Sequence, residues 1–177
     1  MQRWISLWLG AGVLAVVAAV AGPALADAAA LNCPAPVRAQ IDGLYRWQLA
    51  DQDRRPGLAI ASQRQRFTPQ LYALLKRAYA LQPSDGRFVD FDPFSGTQVS
   101  TFGATLLECS RLPSGGLEAR VAVRAGLRNR PGEPTQLLRF VLAPSAGSGW
   151  QIDDIAYPTQ PAFRLKAFLL ELLEVKR

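Results

Sequence analysis

Two kinds of side chain in this sequence stand at spacings that could do chemistry: carboxylates set among aromatics, and arginines. Residues 87–94 read Arg-Phe-Val-Asp-Phe-Asp-Pro-Phe, so Asp90 and Asp92 alternate with Phe88, Phe91 and Phe94. Residues 149–157 read Gly-Trp-Gln-Ile-Asp-Asp-Ile-Ala-Tyr and carry Asp153 and Asp154. An acid pressed into apolar surroundings has its charged form penalised, so its pKa rises and it can serve as an acid or base. With Tyr45, whose hydroxyl can donate to such an acid, these make a candidate pocket set of Tyr45, Asp90, Asp92 and Asp154. Oxygens at 90 and 92 also suit calcium, but the run lacks the central glycine and terminal glutamate of a calcium loop. The plainer reading has the phenylalanines anchoring the segment while the acids cap turns. No metal and no cofactor is expected.

The exclusions are sharper. The chain has no histidine, which removes imidazole acid–base schemes, Ser–His and Cys–His nucleophiles and most zinc sites. No glycine-rich phosphate loop or dinucleotide fingerprint is present. Lys and Arg number 20 against 14 Asp and Glu, and nearly all the cations are arginine, the better bidentate partner for phosphate, sulfate and carboxylate. Arg120, Arg124 and Arg128 fall on the polar phase of an alternating run, so they predict an exposed basic stripe with about 13 Å between every fourth residue. That stripe could meet an anionic envelope polymer; nucleic acid is not expected. A second basic stretch, Asp51 to Arg66, carries Arg54, Arg55, Arg64 and Arg66 around Pro56-Gly57 and reads as a solvated surface loop with room for one helical turn.

The elements that must position these groups follow from periodicity. Arg3, an apolar run from Trp4 to Val20, Gly22-Pro23 and Ala24-Leu25-Ala26 make a signal peptide over 1–26. A disordered leader, 27–35, and a single domain, 36–177, come next. Export places Cys33 and Cys109 where thiols pair, which predicts a disulfide. No later stretch is long and apolar enough for a stable membrane span.

Helix one is predicted over Pro36–Ala50, with Val37, Ile41, Leu44, Tyr45 and Leu49 at helical spacing and Trp47 at the edge of that stripe. Helix two starts at the cap Thr68 and Pro69 and ends near Leu81. Four antiparallel strands are expected at 99–107, 117–127, 136–142 and 150–156, the third buried on both faces, and a closing helix starts at Pro161 or Ala162. In the last strand, strict alternation from Trp150 and Ile152 would turn Asp154 inward. A bulge would instead seat Ile155 in the core and send Asp154 to solvent, and the bulge is favoured because Ile155 has the stronger claim on the core.

Four motifs together resemble the exported bacterial proteins grouped as domain of unknown function family 3828: Leu44-Tyr45-Arg46-Trp47, Phe67-Thr68-Pro69-Gln70-Leu71, Val89 to Phe94 leading to Gln98, and Gly149 to Ile155. The resemblance covers about Val37 to Glu174, and the chain departs from it in the basic insertion at Arg54 to Arg66. It implies an α+β, cone-like fold similar to the nuclear-transport-factor-two-like proteins: two N-terminal helices, a bent four-stranded antiparallel sheet and a C-terminal helix around a hollow. It implies no reaction. The function expected is a secreted or periplasmic, non-catalytic binding or interaction module. The alternatives are a carboxylate enzyme or small-molecule binder using the hollow, and a binder of an anionic polymer through an arginine face.

Overall fold

A computed structural model of the chain describes residues 33–53, 60–81, 91–127, 130 and 136–175. The expected signal peptide, leader residues 27–32, Arg54, Arg55, Phe88, Asp90 and Arg128 lie outside these residues. The architecture is α+β.

Helix α1, Ala35–Asp51, begins with Pro36 in its first turn, where the missing N–H costs nothing. Its buried stripe is Val37, Ile41, Leu44, Tyr45 and Gln48, steps of four, three, one and three that keep to a single face. Leu49, expected on that stripe, is 41% exposed. One further residue turns the helix by 100°, and Gln48 takes the inward place because its amide has a partner there, as shown below. The basic connection then forms a 3₁₀ helix, Ile60–Arg66, which buries Ile60 and Gln63. Helix α2, Pro69–Tyr79, opens on Thr68, whose hydroxyl accepts from the Leu71 N–H at 3.4 Å.

The sheet holds five strands rather than four, all antiparallel and in sequence order: β1, Ser100–Arg111; β2, Leu117–Gly126; β3, Gln136–Ser145; β4, Gly149–Tyr157; and β5, Phe163–Arg164. The extra strand falls where the closing helix was expected to start. Phe163 and Arg164 pair with Tyr157 and Ala156 on the edge of β4, so helix α3 begins later, at Leu165, and runs to Val175.

Alternation sorts the two faces. On β2, Leu117, Ala119, Val121, Val123 and Ala125 are buried while Glu118, Arg120 and Arg124 point away. β3 was expected to be covered on both sides, yet only Leu138, Phe140 and Leu142 are buried and Leu137 is 43% exposed. The helices explain this: α1 lies on β1 and β4, while α2 and α3 lie on each other and on β4, all on the inner face. Aromatic rings occupy the space between helices and sheet. Phe67 stacks on Phe94 at 5.9 Å, Trp47 meets Phe94 edge-on at 5.8 Å, and Tyr45 meets Phe140 at 6.1 Å. Beside them Phe91 touches Tyr157, Phe163 and Phe168 at 5.5 to 5.6 Å.

The disulfide Cys33–Cys109 ties the residues before α1 to β1, with a sequence separation of 76. Among the described residues no helix is long and apolar enough to cross a membrane.

Candidate functional site

Tyr45 and Asp92 meet at one turn, residues 92–97. Its frame is a bridge in which the Asp92 N–H donates to the Thr97 carbonyl at 2.7 Å. The Asp92 carboxylate accepts from the Phe94 N–H at 3.0 Å and from the Gln48 amide at 2.6 Å. Thr101 Oγ1 stands at the limit, 3.5 Å. Tyr45 donates its hydroxyl not to the acid but to the Phe94 carbonyl at 2.8 Å, and Tyr157 donates to the Pro93 carbonyl at 2.7 Å. The turn requires Gly96, which sits at φ +68° with the Tyr157 ring 3.1 Å from where a Cβ would lie. Gln52 secures the adjoining strand start: its amide donates to the Thr101 carbonyl at 3.0 Å and accepts from the Thr101 N–H at 2.8 Å, as a neighbouring strand would.

Burial pushes the Asp92 carboxyl above the usual carboxylate range, and hydrogen bonds from the Phe94 N–H, Ser95, Thr101 and Gln48 hold it partly down. Burial also pushes Tyr45, Tyr79 and Tyr157 well up, with the Asp92 charge adding to each. These phenols therefore stay protonated and act as donors. Both Asp92 oxygens accept from the protein's own groups, so the geometry makes Asp92 an organiser of the turn.

One prediction follows from the raised carboxyl. A group whose folded pKa exceeds its unfolded value binds more protons when folded, so its contribution to stability falls as pH rises from the ordinary carboxylate value through the raised one. Wild type minus Asp92→Asn, measured by denaturant melts from pH 3 to 7, is expected to decline across that window. A flat or rising difference refutes the raised value.

Asp154 lies elsewhere. β4 carries the favoured bulge, because Leu142 pairs with Ile152 and Val141 with Asp154, leaving Asp153 extra. Ile155 accordingly opposes Phe140 inside the core. Asp154 opposes Val141 on the outer side, yet it is buried there instead of reaching solvent. β5 and the start of α3 fold over it: Oδ2 accepts from Arg164 Nε at 2.7 Å, and Oδ1 from the backbone N–H of Lys166 at 3.0 Å and of Ile155 at 2.9 Å. Asp153 serves the other helix, accepting from Thr68 Oγ1 at 2.9 Å and from Lys166 Nζ at 3.1 Å. The acid pair thus clasps the starts of α2 and α3 to β4, favourably placed at the positive ends of both helix dipoles. Among the described residues no three acidic or thiol groups converge on a metal position.

The outer sheet face carries the arginines. Arg120 and Arg124 point the same way from β2. Arg120 Nη1 donates to Glu108 at 2.6 Å and Arg124 Nη2 to the Phe102 carbonyl at 3.2 Å. Register places Arg139 of β3 directly opposite Arg120. Arg139 lies 3.9 Å from Glu118, and its side chain is 51% exposed. Like charges directly opposed repel, and Glu108 and Glu118 each face one arginine of the pair. Beside it a depression of about 300 Å³ runs past the sheet edge: Arg120, Leu137 and Arg139 line it from the outer face, Pro158 and Thr159 from the rim, and Gly96, Leu138 and Tyr157 from the inner side. Sequence reasoning reached Arg120 but not Arg139, because opposition across strands depends on the length of the β2–β3 turn, which alternation alone does not give.

No family model matches the chain, and no curated protein or solved structure matches it.

Proposed function

We propose that the protein is an exported, non-catalytic binding module that holds an anionic partner on its helix-free sheet face. The observation that carries this reading is the Arg120–Arg139 pair, opposed in register at the rim of the depression and flanked by exposed Leu137. Two guanidinium groups supply charge and bidentate donors, while exposed Leu137 and Pro158 supply apolar contact, the mixture that small recognition sites use. Export is supported by the signal-like first 26 residues and by the disulfide. The order of helices, aromatic–acidic turn, antiparallel strands and closing helix is the order that the resemblance to the exported family 3828 implies. In this reading ligands approach the outer face, since aromatic rings occupy the inner one.

The partner class is an anionic envelope polymer, for which heparin is a convenient probe. Wild type is expected to elute from a heparin column at clearly higher salt than an Arg120→Ser/Arg139→Ser variant, because each lost phosphate- or sulfate-like contact lowers the salt dependence of binding. Arg139 is exposed, and Arg120 is half-buried in a surface ion pair with Glu108, so the melting change should stay within about 1 kcal/mol of wild type. Identical elution of the two proteins would make the face a solubilising surface only.

A further inference from the structure

We propose that Arg66, which lies over Gly43 of α1, and Arg46, one turn further along the same helix, form a seat for a single oxyanion: a phosphate, sulfate or carboxylate group. This seat is separate from the outer sheet face. Gln40, Gly43 and Arg46 lie three residues apart along one stripe of α1, as neighbours on a helix surface. The Arg66 side chain reaches across that stripe from the end of the 3₁₀ helix. Its guanidinium lies directly over Gly43, in the space that a Cβ there would take.

Among the described residues the partners of Arg66 are all neutral. Nε donates to Gln63 Oε1 at 2.6 Å, and Nη1 to the Gln40 carbonyl at 3.4 Å and Gln40 Oε1 at 3.3 Å. Nη2 has no acceptor among the described residues. Arginines on the outer face differ, since Arg120, Arg139 and Arg164 face Glu108, Glu118 and Asp154. Among the described residues no carboxylate ion-pairs with Arg46 or Arg66. Burial holds Arg66 below the usual arginine range, and the positive charge of Arg46 lowers it further. A half-buried cation beside a second cation, neither of them ion-paired among the described residues, is stabilised by an anion that accepts from both.

The neutral bonds to Gln40 and Gln63 also fasten the 3₁₀ helix to α1, so the test must separate anion binding from structure. The arginine Nε–H resonances of the full chain are followed by NMR while inorganic phosphate replaces chloride at constant ionic strength. Arg66 and Arg46 are expected to shift together and saturate with one Kd. Arg46→Ser, an exposed change, should weaken that Kd about tenfold, the worth of one charge-assisted contact, while the Arg66 signal keeps its phosphate-free position and so reports an intact scaffold. Arg120→Ser/Arg139→Ser should leave the Kd unchanged, which keeps this outcome distinct from that of the sheet face. Phosphatidylglycerol vesicles form the second arm: saturation by vesicles but not by free phosphate assigns the same seat to a lipid headgroup. Shifts that stay linear in phosphate, match those of Arg124 or ignore Arg46→Ser, together with no response to vesicles, would overturn the seat.

Discussion

Opening the Cys33–Cys109 disulfide is expected to lower stability by about 4 to 5 kcal/mol. The bond spans 76 residues of sequence, and in the chain-entropy account closing a loop of that size takes entropy from the unfolded ensemble and raises its free energy by about this much. Cys33 lies immediately before α1, whose helix contributes Val37, Ile41, Leu44 and Tyr45 to the core, while Cys109 sits near the end of β1 beside Ala119 of β2. The bond therefore joins the first described helix to the edge of the sheet. A Cys33→Ser/Cys109→Ser protein, unfolded in guanidinium alongside the oxidised wild type, should show a lower midpoint and a steeper m-value, because its unfolded chain is free to expand. Equal midpoints would show that the loop is already constrained by other means.

The second large effect is expected at the bulge of β4. Ile155→Ala should cost about 2 to 5 kcal/mol, since Ile155 is fully buried against Phe140 and its truncation leaves a cavity. Asp154→Ala should cost about 2 to 3 kcal/mol through loss of a charged acceptor and of the cap on α3. Arg164 is half exposed, so its share of that loss is discounted for solvent screening. Arg164→Ala alone should therefore be mild, and a double-mutant cycle between the two should give a coupling below about 1 kcal/mol. A silent Ile155→Ala, or a coupling that accounts for the whole Asp154 effect, contradicts the assignment.

Regular periodicity made most of the fold legible in the sequence. Thr68-Pro69 marked the start of α2, and the Leu117–Ala125 alternation marked both β2 and its dry face, because each signal is local. The losses were of two kinds. Gln48, polar and therefore passed over in favour of Leu49, is buried because a distant acid, Asp92, needs its amide. Phe163-Arg164 was absorbed into α3, because a two-residue strand has no period of its own and exists only through the edge of β4. The candidate carboxylates divided for a similar reason. Tyr45 and Asp92 do share a turn, whereas Asp154 is carried by the bulge to the other side of the sheet, where Arg164 and Lys166 claim it. Arg139 and the mid-helix Gly43 acquire meaning only once the neighbouring chain is in place.

The central claim is that ligands meet the outer sheet face and that the aromatic interior is structural. Backbone amide shifts during titration with a heparin oligosaccharide test it most directly. The account predicts saturable shifts concentrated at Arg120, Leu137, Arg139 and Thr159, with the amides of Tyr45, Asp92 and Phe94 unmoved. Shifts centred on Tyr45, Asp92 and Phe94, with the outer face silent, would contradict it.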